Sequence, residues 1–168
     1  MGVIHPDITK AQTLPSTYYL DENIHLKLMR KFSGSWNFIG LEAALVEGQV
    51  IPVLLGDVPM LMTKKGGVIS CISNVCTHRG MILCDSIKKI TSITCPYHGR
   101  TFSLCGKIKH MPKFSEVENF PAPSDDLPKA KVAIWNGLIF ASLDLQDSFE
   151  NYIQDVEQRM NFIDFSNF

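Results

Sequence analysis

A chain of 168 residues suits about one domain, and 45% hydrophobic with 20% charged residues describe an ordinary folded protein rather than a disordered one. Its 16 Lys and Arg lie scattered among 17 Asp and Glu, for a net charge of -1, so no basic stripe invites nucleic acid. No stretch has the length of a membrane span and the N-terminus lacks a signal peptide's apolar core, so a cytosolic address is expected, with five reduced cysteines free for metal ligation.

Residues 1–20 carry two prolines and no periodicity, and read as an extended arm. Asp21 suits the N-cap of a helix running to about Ser33, with Ile24, Leu28 and Phe32 at four-residue spacing and Gly34 as the stop. That stripe is expected to pack on the domain. From Trp36 the pattern changes to short apolar runs at 50–55, 58–63 and 68–73, broken by glycine, and these read as strands. Residues 111–130 hold four prolines and read as a long surface loop. Asn136 and Gly137 then separate two further apolar runs and suit a two-residue type I′ hairpin turn, which needs positive φ at both positions. From about Asp147 helical spacing returns, with Phe149, Ile153, Val156 and Met160 three or four apart. The expected division is an arm and helix over 1–35, a strand-rich domain over 36–145 and a connecting helix over 146–168.

Only five histidines occur in the chain, and two stand beside cysteines. Cys76 and His78 form C-x-H; after a gap of sixteen residues, Cys95 and His98 form C-x-x-H. Two readings compete. A single zinc ion would take all four side chains as a closed tetrahedral site, giving a zinc-stabilised binding module without redox chemistry. A Rieske-type [2Fe-2S] cluster would take two cysteines on one iron and two histidines on the other. Residues i and i+2 of an extended loop lie about 6 to 7 Å apart, a span better suited to two metal atoms than to one. C-x-H also falls short of the spacing by which structural zinc pairs usually wrap one ion. Gly80 and Gly99, following each pair, would admit backbone amides close to bridging sulfides.

"CTHRG" and "CPYHG" resemble the two binding loops of the Rieske domain of aromatic-ring-hydroxylating oxygenases. The similarity extends to "SGSWNFIG" before the sheet, to "GRTFSLCGKIKHMP" after the second loop, and to the closing helix. The resemblance implies an all-β Rieske fold, antiparallel, with flanking N- and C-terminal helices and one [2Fe-2S] cluster. It implies Cys76 and Cys95 on one iron, with His78 and His98 on the other. It also implies one-electron transfer, with a flavin reductase or a ferredoxin as donor. The implied acceptor is a non-haem iron oxygenase site, on a catalytic domain or partner chain. Because that acceptor iron often sits in a neighbouring subunit of the family, homo-oligomerisation would be functional.

Two departures stand out. Arg100 occupies a position that is usually tryptophan, and adds positive charge near the cluster. The second iron site of the oxygenases has no counterpart, since only His5, His25 and His110 remain, far apart in sequence. The chain stops about where a catalytic half would start, which implies a fragment, a truncated gene product or a subunit completed by another chain. Met81 and Tyr97 stand where respiratory Rieske proteins carry an extra disulfide, so the resemblance is to the soluble branch, with a stand-alone Rieske ferredoxin as the alternative.

Two ferric ions, two sulfides, two thiolates and two neutral imidazoles sum to zero charge, so reduction leaves one negative charge. The potential is therefore expected to fall as pH rises through the histidine pKa of the oxidised cluster. Of the other candidates, Cys71 reads as a small core residue and Cys84 and Cys105 as spare thiols. Tyr97 reads as a shield for one face of the cluster or as ordinary packing. Arg79 reads as a donor beside the cluster or a solvated side chain, and His25 and His110 as surface residues.

Overall fold

The computed structural model describes residues 5–143 and 148–163. Its helices are α1 (Thr17–Leu20), α2 (Glu22–Ser33) and α3 (Phe149–Met160). The long strands are β1 (Asn37–Leu41), β2 (Gln49–Leu55), β3 (Val58–Lys65), β4 (Val68–Ser73), β9 (Lys129–Trp135) and β10 (Leu138–Ser142). Between β4 and β9 lie the short strands β5 (Lys88–Lys89), β6 (Ile93–Thr94), β7 (Thr101–Phe102) and β8 (Ile108–His110). They form a seven-stranded sheet, β1-β10-β9-β4-β3-β2-β5, and a three-stranded sheet, β6-β7-β8, with every pairing antiparallel. The architecture is the expected all-β one with flanking helices.

The apolar runs expected as strands become β2, β3 and β4. Asn136 (φ 48°) and Gly137 (φ 76°) make the expected turn between β9 and β10, pairing Trp135 with Leu138. Because side chains alternate across a strand, β3 serves two compartments. Met60 and Met62 face one way, into clusters with Cys71, Ala141 and Ile139. Leu61 faces the other way and packs with Val50, Ile72, Phe102, Leu104, Cys76 and Cys95. Thr63, on that same face, donates its hydroxyl proton to the Leu104 carbonyl at 2.6 Å. The small sheet and its loops thus sit on one face of the large sheet. Phe102, Leu61 and Ile72 are fully buried there, each side chain contributing about 1.5–3 kcal/mol.

Three expectations are corrected. The arm is not extended throughout, because Thr17–Leu20 makes one helical turn, with the Tyr18 and Tyr19 amides donating to the Pro15 and Ser16 carbonyls at 3.0 Å. Helix α2 forms where expected, capped by the Asp21 carboxylate on the Asn23 amide, but its stripe is largely uncovered: Ile24 is half-buried, and the helix meets the sheet through Met29 and Ser33 beside Gly56. Leu28 is 52% and Phe32 61% exposed, and no residue of α2 is buried. Four-residue spacing fixes which side chains share a face, and not what covers that face. The 111–130 loop, finally, is more than surface, since Met111 and Leu127 are buried and a 3-10 turn at Pro123–Asp125 reaches the site described below.

Helix α3 packs back on the large sheet. The Ser148 hydroxyl caps it by accepting from the Asn151 amide, and Ile153 is buried with Trp36 and Phe140. Phe149 meets Trp36 edge-on at 5.0 Å between ring centroids. The expected start at Asp147 lies outside the described residues.

Candidate metal centre

Two hairpin-like loops rise from the small sheet and its neighbourhood, and their backbones close in the same way. In the first, the Cys76 amide donates to the Met81 carbonyl at 2.8 Å, and the Gly80 amide to the Cys76 carbonyl at 3.0 Å. In the second, the Cys95 amide donates to the Arg100 carbonyl at 2.8 Å, and the Gly99 amide to the Cys95 carbonyl at 3.0 Å. Gly80 (φ 72°) and Gly99 (φ 74°) are left-handed, a conformation glycine adopts without steric cost. Their amides are committed to closing the turns. The glycine turns bring the backbone amide of His78 toward the Cys76 sulfur. The extended C-x-H geometry is corrected, because the chain turns back on itself between cysteine and histidine.

This turn sorts the side chains by depth. Cys76 (2% exposed) and Cys95 (3%) sit at the base, in the core shared with Leu83, Phe102 and Leu104. The Cys95 thiol lies near enough to Cys76 to add to the upward shift that burial imposes on it. His78 and His98 lie at the tips, edge to face, with ring centroids 4.9 Å apart. Among the described residues, no three Cys, His, Asp or Glu side chains converge on one ion position. A sulfur pair below an imidazole pair is the layout of a two-iron core, and not of four ligands on one tetrahedral cation.

Burial is the main cause of the electrostatic bias at both levels. It pushes the Cys76 thiol up, so this sulfur gives up its proton only to a strong partner such as a metal. It also holds the His78 imidazole below its usual value, helped by the positive charge of His98, Arg100 and Arg79. Neutral imidazole is the metal-binding form. His98 Nδ1 is buried and has no hydrogen-bond partner among the described residues. A buried nitrogen without a partner is costly, and a bond to iron would satisfy it. The residues present therefore fit a cluster.

Around the tips, Tyr97 lies over the His98 ring at 3.7 Å, itself 57% exposed, and Phe114 flanks His78 edge-on at 6.3 Å. Tyr97 thus covers an imidazole. Arg79 is exposed, as are His25 and His110. Cys71 is buried in β4, where desolvation pushes its thiol up to about 12. Cys84 is buried at the foot of the first loop, and Cys105 pairs with the Ser103 hydroxyl at 3.1 Å, which lowers its pKa.

Four participants escape a reading of the sequence. Asn74 clamps the first loop, its amide donating to the Cys84 carbonyl at 2.7 Å and its carbonyl accepting from the Cys84 amide at 2.9 Å. Thr77, Asp125 and Phe120 surround Arg100. The guanidinium donates to Thr77 Oγ1 at 2.9 Å and to Asp125 Oδ1 at 3.0 Å, and lies 5.5 Å from the centroid of the Phe120 ring. An arginine where the resembling loops carry tryptophan was visible; its acidic partner, 25 residues on, was not.

Residues 35–121 match the Rieske [2Fe-2S] domain family, and the chain belongs to it. A Rieske domain binds a [2Fe-2S] cluster. The chain is 36% identical over 139 residues to the chloroplastic choline monooxygenase of Amaranthus tricolor, covering 81% of this chain and 31% of that protein. To the biphenyl dioxygenase alpha subunit of Paraburkholderia xenovorans it is 31% identical over 156 residues, covering 85% and 34%. Among solved structures, a quaternary ammonium Rieske monooxygenase in complex with L-carnitine superposes with TM-score 0.82 at 25% identity, covering 90% of this chain and 45% of that one. Naphthalene 1,2-dioxygenase from Rhodococcus sp. superposes with TM-score 0.80 at 27% identity, covering 89% and 36%. The chain spans about a third of the length of the curated relatives it matches, and what it matches is their Rieske part.

Proposed function

We propose that Cys76 and Cys95 hold one iron and His78 and His98 the other, and that the domain relays single electrons through the cluster so held. The observation that carries this reading is the stacking of a buried sulfur pair beneath an imidazole pair on two equivalent loops, with His98 Nδ1 buried and unpartnered. A bound cluster supplies a one-electron store whose potential responds to charge and hydrogen bonds nearby. The chain's own residues do the rest: the core keeps water from the sulfur end, and Tyr97 covers the outer imidazole. The histidine tips, partly exposed, are the edge through which electrons enter or leave.

The donor would be a flavin reductase or a ferredoxin, and the acceptor a non-haem iron site on an oxygenase catalytic domain or partner chain. Relatives named for choline, for glycine betaine and for biphenyl share this module, so the substrate is selected elsewhere. We assign residues 36–145 to the cluster domain, with 1–35 as arm and helix and 146–168 as connector. Homo-oligomers would bring donor and acceptor sites of neighbouring chains together. All five cysteines are free, which suits a reducing compartment such as the cytosol. No described helix is long and apolar enough to cross a membrane.

Anaerobic purification followed by iron and acid-labile sulfide analysis tests the site. Two irons and two sulfides per chain, a red-brown colour and an EPR signal that appears on one-electron reduction are expected. Cys95→Ser and His98→Ala should each abolish all of these. A colourless protein holding one zinc ion would overturn the reading and favour the zinc-stabilised module.

A further inference from the structure

Behind the two loops lies a cation that packing alone does not require. Arg100 is 3% exposed, and its guanidinium bridges the first loop, at Thr77 Oγ1, and the Pro123–Asp125 turn, at Asp125 Oδ1. Thr77 in turn donates to the Asp125 backbone carbonyl at 2.7 Å, and Asp125 Oδ2 accepts from the Ala122 amide at 2.9 Å. Phe120 faces the guanidinium, and Arg100 Nε is buried without a hydrogen-bond partner among the described residues. Removing an arginine and an aspartate from water is expensive, and an apolar side chain of similar volume often serves stability as well or better. A charge kept at that cost, and incompletely satisfied, points to a role for the charge itself.

Its position supplies the role. Arg100 follows His98 by two residues, and the residue it bonds, Thr77, lies between Cys76 and His78. The guanidinium stays protonated at any working pH, so it is a constant positive charge beside both loops. Such a charge favours whichever redox state is more negative. With two thiolates and two neutral imidazoles, that is the reduced cluster. Burial strengthens the influence, since the surroundings screen poorly. Asp125, 21% exposed at its side chain, carries the opposing charge of the same ion pair.

We propose that Arg100 is a positioning residue that raises the cluster's reduction potential through its buried charge, and that Asp125 sets how much of that charge the cluster feels. The proposal rests on the ligand assignment above. An ion pair that only stapled the loops would respond alike to loss of either partner, whereas an electrostatic role makes the two losses act in opposite directions.

The experiment is a redox titration, followed by visible absorption, of the cluster-loaded wild type and of Arg100→Gln, Asp125→Asn, Arg100→Lys and the double variant Arg100→Gln/Asp125→Asn. Arg100→Gln should lower the ratio of reduced to oxidised cluster at fixed ambient potential by about tenfold, equivalent to about 59 mV for a one-electron couple. Asp125→Asn should raise that ratio, and the double variant should return toward wild type. Arg100→Lys should stay near wild-type potential even where it lowers the unfolding midpoint, because it keeps the charge and loses the planar fork. Should Arg100→Gln fail to fold, Asp125→Asn still decides the sign, and Arg100→Lys still tests whether charge alone holds the potential. Shifts in one direction for both single losses, or no shift with an intact cluster, would overturn the proposal. A wild type without iron and sulfide would instead overturn the ligand assignment beneath it.

Discussion

The loops at 76–81 and 95–100 close with the same pair of backbone hydrogen bonds, yet their sixth residues meet opposite surroundings: Met81 is 42% exposed and Arg100 3%. The first loop is held from below, by Asn74 bonding both the amide and the carbonyl of Cys84. The second is held from the side, by an ion pair reaching into a distant turn. One backbone solution presents both halves of the proposed ligand set, and the protein anchors its copies by different chemistry. The difference buries a fixed charge behind the second loop and gives the first an uncharged anchor.

Substitution at the sixth positions should expose that asymmetry most. Arg100→Ala should destabilise the fold by about 3 kcal/mol, because it strands Asp125, whereas Met81→Ala should stay within about 0.5 kcal/mol. Denaturant unfolding of both variants measures the contrast, and equal effects would break it. The neutral anchor comes next. Asn74→Ala leaves the buried amide and carbonyl of Cys84 without partners and should cost about 2 kcal/mol, with faster hydrogen exchange confined to the first loop.

A pH series sharpens the comparison from the strand that feeds the first loop. Cys71 in β4 ionises near 12 in the fold, against an ordinary value of 9.0. Between those values the unfolded thiol has lost its proton and the folded one has kept it. Stability therefore falls as pH rises through this window, by up to about 1.4 kcal/mol per pH unit from this group. The Cys71→Val variant should lose that component, read as the difference in unfolding free energy between pH 8 and pH 10.5. If wild type and variant decline in parallel, burial does not hold this thiol neutral.

The glycines give the smallest contrast. Gly80→Ala and Gly99→Ala should each cost about 1 kcal/mol through the left-handed backbone. Gly99→Ala should cost more, since its new methyl would stand 3.1 Å from Pro112 Cγ, while the methyl at position 80 meets nothing within 4 Å. Thermal unfolding midpoints rank them, and the reverse order would show that the loops differ more in backbone than their hydrogen bonds suggest.

Strands 50–55, 58–63 and 68–73 were legible because each is a short apolar run bounded by glycine or turn residues, and the Asn136–Gly137 turn because few other residue pairs accept two positive φ angles. The C-x-H and C-x-x-H pairs were legible because soft and imidazole donors at short spacing have few alternative uses in a histidine-poor chain. Helix α2 was readable as a helix, but its exposed face was not, because periodicity describes the helix and not its neighbours.

By itself, then, the sequence determined five of the long strands, the paired cysteines and histidines proposed as ligands, and the glycines that let each loop turn. All of these are set by the conformational preferences of residues close together in the chain. Only the tertiary structure decided that the two loops are equivalent, that His98 Nδ1 lies buried without a partner, and that Arg100 meets Asp125. Those outcomes depend on side chains far apart in sequence sharing one desolvated space, and desolvation is a property of the packed whole.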